Sequence, residues 1–330
     1  MQRLKRVTAA DVAEAAGVSR SAVSRAFTPG AYLDADKKER VLAAAFKLGY
    51  RPNALAASLQ GARTNLVGVV SGKRSNPYDG EWIVRLVAEL NAADKWPIVL
   101  GGNGADTEQD VFSVLHYPLD ALIVRGGSVG PAVIENCSKL NIPVILSGRV
   151  LEAPRIDCVY TGNHRGTELA TDMLLKKGRR KFAFIGGPAG WNSAQERQTG
   201  VSDRLAQEGL DLLAVRNADY SFEGGADAIA SILAETEIDA LVCGNDAMAM
   251  GALSYLRHQT DLDVPEDVSV VGFDDIAMAA WPDFDLTTVR NPQDATVFEI
   301  LRLLESRLSN PDKPGEISRL EPELVLRSTH

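Results

Sequence analysis

Residues 11–27 read DVAEAAGVSRSAVSRAF, and a single glycine, Gly17, interrupts a stretch otherwise rich in helix-forming residues. Val12, Ala13 and Ala16 repeat at helical spacing before it, and Val23, Ala26 and Phe27 do so after it. Glycine takes the left-handed conformation that ends a helix without a Cβ penalty. Ser19 is then placed to cap the free amides of a second helix. Two short helices joined by a tight glycine turn are a helix-turn-helix. Ala13 must be small because the second helix crosses over it, and Val23 supplies the answering contact. Arg20, Ser21 and Ala22 fall on the first turn of that second helix, with Arg25 one turn later, where such motifs meet base edges in the major groove. Arginine's donor fork matches guanine O6 and N7, and serine hydroxyls suit phosphates or bases.

Charge supports the same reading. Residues 1–62 hold ten Lys/Arg against five Asp/Glu, a balance of +5, and the remainder, with 25 basic and 39 acidic residues, carries −14. A basic head on an acidic body predicts a polyanion bound at one end and repelled by the other. At 330 residues the chain exceeds one compact core. No apolar run approaches the roughly 20 residues of a membrane helix. The basic start MQRLKRV runs into TAADVAEAAG without the apolar core of an export signal. Cys137, Cys158 and Cys243 are far apart and odd in number, which argues for a reducing cytosol and against a disulfide framework. A cytoplasmic protein with no membrane partner is expected.

A third amphipathic helix, KKERVLAAAFKLGY, is expected to pack Val41, Leu42, Ala45, Phe46 and Leu48 inward. The segment RPNALAASLQGART follows, with Pro52 to open a short apolar helix and Gly61 to end it. From Thr8 through Thr64 the sequence resembles the headpiece of the lactose/galactose repressor (LacI–GalR) family, and the similarity extends along the chain. The resemblance implies a helix-turn-helix headpiece over 1–51, a hinge helix over 52–63 and an effector-binding and dimerisation body over 64–330. It further implies hinge helices that enter the minor groove with a leucine wedge, a position that Leu59 matches. The expected DNA-facing set is Thr8, Ser19, Arg20, Ser21, Ala22, Ser24, Arg25, Asn53, Ala56 and Leu59. Thr28 departs from the asparagine common in the family, which touches fine contacts only.

Beyond Arg63 short apolar runs alternate with helical stretches: NLVGVVS, WPIVLGG, ALIVRGG and VILSG, then a second set beginning at CVYTG and continuing with KFAFIGG, ALVCGND and VSVVGFDD. Such alternation predicts an α/β body of two parallel, doubly wound lobes with ligand at the carboxyl ends of the strands. The pattern is similar to the effector domains of the same repressors and to periplasmic sugar-binding proteins. It implies an N-lobe of 64–162 and 291–320, and a C-lobe of 163–290 and 321–330. Matched positions place Asn76, Tyr78, Arg125, Arg197, Tyr220, Asn245 and Asp274 at the effector site. Ser193, four residues before Arg197, is expected at the same site. Arg197 would donate as a fork, Asp274 would accept from paired hydroxyls, and Tyr220 or Trp281 would offer a ring face to a sugar. Lys73 and Arg149 stand where family members that bind neutral sugars commonly carry aspartate. Convergence of Lys73, Arg125, Arg149 and Arg197 on one crevice predicts an anionic effector, a sugar acid or sugar phosphate; internal ion pairs around a neutral sugar are the alternative.

Enzyme readings are weak. Gly126-Gly127-Ser128-Val129-Gly130 matches a nucleophile elbow, yet His164, His258 and His330, the downstream candidates, sit in no suggestive context. Gly101–Gly104 is too incomplete for a dinucleotide fingerprint, no phosphate loop is present, and the four histidines lack metal-ligand spacing. The sequence therefore reads as a ligand-controlled transcription regulator, a repressor, with no cofactor. Its expected partners are double-stranded operator DNA, a small effector (sugar, sugar acid or sugar phosphate) and a second copy of itself. The chain stops at His330 without a heptad tail, so a homodimer is expected rather than a coiled-coil tetramer. A solute-binding receptor without a DNA role is the alternative.

Overall fold

In the computed structural model of the chain the described residues are 7–28, 30–51, 63–71, 76–101, 105–126 and 129–330. Outside them lie the expected hinge over 52–62 with Asn53, Ala56 and Leu59, then Lys73 and Ser75, residues 102–104, and Ser128. The chain divides into a unit that ends at Thr64 and a unit that begins at Asn65.

Among the described residues the first unit holds three helices: α1 (Ala9–Ala16), α2 (Arg20–Phe27) and α3 (Ala35–Leu48). Gly17 takes φ 63° at the end of α1 and its amide bonds back to the carbonyls of Ala13 and Glu14. Ser19 caps α2 by accepting from the Ala22 amide. Val12, Ala13, Ala16, Val23, Ala26, Val41 and Ala45 form the core. One expectation fails here. Phe46 is 91% exposed, and Leu42 and Leu48 are also exposed. The small residues Val41 and Ala45, one turn apart, let α1 and α2 approach α3 closely, and the bulky residues are left on the neighbouring stripe.

The second unit contains two six-stranded sheets among the described residues. The first runs β11-β5-β4-β3-β1-β2 and all its pairings are parallel. Its strands are β1 (Leu66–Ser71), β2 (Trp96–Gly101), β3 (Ala121–Arg125), β4 (Val144–Ser147), β5 (Ile156–Thr161) and β11 (Ile317–Leu320). The second runs β12-β10-β9-β8-β6-β7, parallel except where β12 joins β10 antiparallel. It comprises β6 (Phe182–Gly186), β7 (Leu212–Asn217), β8 (Ala240–Cys243), β9 (Ser269–Asp274), β10 (Thr288–Arg290) and β12 (Glu323–Val325). The run CVYTG therefore completes the first sheet as β5 and does not open the second.

Helices α4 (Pro77–Ala92), α5 (Ala105–Val114), α6 (Pro131–Lys139) and α11 (Gln293–Ser309) accompany the first sheet. Helices α7 (Asn163–Lys176), α8 (Asn192–Ala206), α9 (Phe222–Leu233) and α10 (Asp246–Gln259) accompany the second. The central strands are apolar and buried on both faces, as parallel sheets under helices require. A buried ion pair anchors the end of α11. Both Asp157 carboxylate oxygens accept from Arg307, at 2.8 and 2.9 Å, and Oδ1 also takes the Glu316 amide.

Candidate functional site

On α2 the side chains of Ser19, Arg20, Ser21, Ser24 and Arg25 are all exposed and form one polar face. The Arg25 Nε–H donates to the Ser21 carbonyl at 3.3 Å, which aligns its side chain along that face. Ala22 does not belong to it. It is 5% exposed and shares the inner stripe with Val23 and Ala26, so it packs the headpiece rather than facing DNA. Thr8 closes a capping box on α1: its hydroxyl accepts from the Asp11 amide, and its own amide donates to the Asp11 carboxylate at 2.7 Å. The Thr28 hydroxyl donates to the Ser24 carbonyl at 2.9 Å, so the departure at this position closes α2.

In the body, strand ends of both sheets meet around a crevice lined by Asn76, Tyr78, Arg125, Ser193, Arg197, Tyr220 and Asp274, together with Asp79, Thr161, Asn163, Trp191 and Asn291. Arg197 is buried over the Phe273 ring, 3.6 Å from its centroid. Its Nε–H donates to Asn163 Oδ1 at 2.9 Å, another nitrogen donates to the Gly244 carbonyl, and Nη2 lies 3.6 Å from Asp274 Oδ1. Asp274 also accepts from Asn291 Nδ2 at 3.2 Å, and Asn291 Oδ1 accepts from the Thr161 hydroxyl at 2.6 Å. An ion pair followed by two hydrogen bonds thus links Arg197 at the second sheet to the end of β5 in the first.

Arg125 crosses the other wall. Its Nε–H donates to Asp79 at 3.1 Å, Nη1 donates to the Ser147 carbonyl, and the guanidinium lies 5.0 Å from the Tyr78 ring centroid. Gly148 has φ +88°, and a Cβ there would stand 2.1 Å from Arg125 Nη1. The positive φ is what favours glycine, and an added Cβ would also push aside the tip of Arg125. Tyr220 and Asp274 also hold positive φ, at 65° and 120°. For side chains with a Cβ such backbone is strained by about 1–3 kcal/mol each, and it aims both groups into the crevice.

The sequence-based set is only partly brought together. Asn245 caps α10 by accepting from the Met248 amide at 2.9 Å and donates to the Tyr220 carbonyl at 3.1 Å, so it holds the wall from behind. Its contact with Asn76 Oδ1 is long, at 3.5 Å. Trp281 is 52% exposed at the end of the one-turn helix Ala277–Ala280 and is absent from the lining. The ring beside Tyr220 belongs to Trp191, with centroids 5.9 Å apart. Arg149 lies in an adjoining chamber, not in the crevice. Among the described residues the crevice holds two guanidinium groups, Arg125 and Arg197, opposed to Asp79 and Asp274, and Lys73, the fourth cation of the expected convergence, lies outside those residues. Trp191 and Asp79 were overlooked; Trp191 stands two residues before Ser193, and Asp79 follows Tyr78 on the first turn of α4.

Burial pushes the Asp274 carboxyl up to about 6, with Arg197 pulling the other way. Burial, and then Asp274 itself, pushes the Asp246 carboxyl upward. Burial opposes the Arg125 charge, and Asp79, Tyr78 and Asp274 together more than offset it. Ionised Asp274 accepts hydroxyl protons and the protonated form does so poorly. Affinity for a polyhydroxy ligand is therefore expected to rise as pH climbs through about 6. The same raised value stabilises the fold below the carboxyl's ordinary 3.8 and is lost as pH passes about 6, so ligand affinity and this stability contribution move in opposite directions. Calorimetry on either side of that value, with Asp274→Asn as the pH-flat reference, checks the trend.

A reading helix with an exposed polar face and a two-lobed body with a polar crevice define a ligand-responsive DNA-binding regulator. Residues 8–53 match the family described as bacterial regulatory proteins, lacI family, and residues 171–330 match the periplasmic binding protein-like domain. The HTH-type transcriptional regulator AscG of Escherichia coli (strain K12) is 30% identical over 315 residues, covering 92% of this chain and 93% of that one. The ribose operon repressor of the same strain is 28% identical over 329 residues, 98% and 99% of the two chains. The Lac repressor dimer bound to operator and the anti-inducer ONPF superimposes with a TM-score of 0.88 at 27% identity, over 98% of this chain and 99% of that one. The chain belongs to the lacI family of bacterial regulatory proteins.

Proposed function

We propose that this protein represses transcription from a palindromic operator as a homodimer, and that a small polyhydroxy compound held between the two lobes of the body controls it. The observation that carries the ligand reading is the Arg197–Asp274 couple, a donor fork beside a carboxylate, in a crevice also lined by the tilted ring pair of Trp191 and Tyr220. Forks and carboxylates bind hydroxyl pairs, and ring faces cover the apolar side of a sugar. Ion pairing within the crevice favours a neutral polyol body there, in line with the sugar named for the ribose operon repressor.

Homodimerisation is supported by an exposed apolar face on α4 and α11, where Val84 is 70% and Phe298 68% exposed. Crossings near 162, 290 and 320 would let the lobes change orientation when ligand bridges them, and a dimer would pass that change to the DNA-binding headpieces. We also infer that the protein is a cytoplasmic binder and not an enzyme. His164 bonds to Asp203 and His330 to Thr287, and neither lines the crevice.

Selection of DNA by the full-length protein tests the proposal. A two-fold-symmetric site with half-sites about one helical turn apart is expected. Arg20→Ala should weaken its binding by about 1–3 kcal/mol and relax preference at one base pair of each half-site. Unchanged affinity and preference in Arg20→Ala would remove α2 as the reading helix.

A further inference from the structure

Beside the crevice, and continuous with it past Gly126, Gly148, Trp191 and Ser193, lies a second open chamber. Arg149 enters it from the end of β4, and its Nε–H is buried without a hydrogen-bond partner among the described residues. No Asp or Glu lines this chamber among the described residues. The ionisable group beside Arg149 is the Cys158 thiol, which burial pushes upward and so keeps neutral. Burial depresses Arg149 below the ordinary arginine value, as an uncompensated charge requires.

Two helix starts face the same space. Trp191, Asn192 and Ser193 begin α8, and Pro131 begins α6. Neither helix has a side-chain cap, and neither carries an acid in its first turn. Helix N-termini present amide donors and a partial positive charge. A guanidinium unpaired among the described residues is unusual so close to a polar site, and here it coincides with two helix starts that lack a side-chain cap and with a described wall free of acids.

We propose that this chamber is an anion subsite: it takes a carboxylate or phosphoryl group borne by an effector whose polyhydroxy body lies in the crevice. The proposal rests on the reading of the crevice as the ligand site. Arg149 binds the anionic oxygens as a fork, the first amides of α8 add donors, and Ile134 and Leu151 line the chamber's apolar side. The charge-matched crevice selects hydroxyls and the chamber selects charge, so the effector class is a sugar acid or a sugar phosphate rather than a free neutral sugar.

The test uses full-length protein and two kinds of probe in calorimetric titrations. Inorganic phosphate alone should bind weakly but saturably. Arg149→Gln should weaken it about tenfold or more, Arg149→Lys less, and Asp274→Asn not at all. Matched sets of glucose, galactose and ribose, each with its sugar acid and phosphate ester, form the second probe. Charged members should exceed their neutral parents by about tenfold or more, and Arg149→Gln should bring that ratio to about one while the parent's affinity holds. Whichever of acid and ester binds better identifies the source of the anion. Absent phosphate binding, or a charged-to-neutral ratio unmoved by Arg149→Gln, overturns the subsite. If neutral sugars still bind and lose affinity in Asp274→Asn, the crevice reading survives that result. If no sugar binds at all, both readings fall.

Discussion

Replacing Arg197 with alanine is expected to reduce effector affinity by at least about a hundredfold and to destabilise the body by roughly 3–5 kcal/mol. The side chain is buried, donates to Asn163 and the Gly244 carbonyl, stacks over Phe273 and faces Asp274. Its removal strands the Asn163 oxygen and leaves Asp274 without its nearest cation. The carboxyl, already raised to about 6, then protonates more readily and relieves part of that penalty. The loss of stability should therefore be smaller near pH 5 than near pH 8. Urea unfolding of the full-length protein at both values measures it; a pH-independent loss would show that Arg197 stabilises by packing alone.

The second large effect lies far from the ligand. Asp157→Ala should destabilise the body by about 3–5 kcal/mol, because it leaves Arg307 buried without its carboxylate. Asp157 is 0% and Arg307 1% exposed, and the same carboxylate holds the Glu316 amide where the chain returns as β11. Replacing both, as Asp157→Leu with Arg307→Met, should recover much of the stability, since a buried pair exchanged for apolar residues of similar volume is often near neutral. Effector affinity should change little in the folded fraction. Thermal melts of the single and double variants give the answer: a double variant as unstable as the single one would show that the pair's shape, not its charge, matters.

Much of this architecture was legible in the sequence because it rests on local signals. Gly17 and Ser19 mark the turn whatever the rest of the chain does, and the apolar runs of β1, β3, β8 and β9 are long enough to read as buried strands. Other features depend on which of two near-equivalent faces meets its neighbour. On α3 the stripe Val41/Ala45 and the adjacent stripe Leu42/Phe46 are both apolar, and only the close approach of α1 and α2 selects the smaller one. β7, at a sheet edge with one buried residue, shows no alternating burial pattern, and three-residue β10 is too short to announce itself.

The crevice shows the same division. Arg197, Asp274, Tyr78 and Tyr220 were placed by resemblance and do line it. Trp281 and Trp191 are equally plausible rings in sequence, and the one-turn helix Ala277–Ala280 leaves the former exposed. Whether four basic residues converge is a question of side-chain direction. Arg125 turns to Asp79, while Arg149, two residues beyond the end of β4, enters a different chamber.

The central claim is that the ligand between the lobes and the operator under α2 act on one another through a single chain. Operator affinity of the full-length dimer, measured with and without a saturating compound shown by calorimetry to occupy the crevice, tests it most directly. The account predicts a change of roughly 5- to 150-fold, mirrored by an equal change in ligand affinity when operator is bound, and absent in Arg197→Ala. Identical operator affinity in the two conditions, with the crevice demonstrably filled, would contradict it.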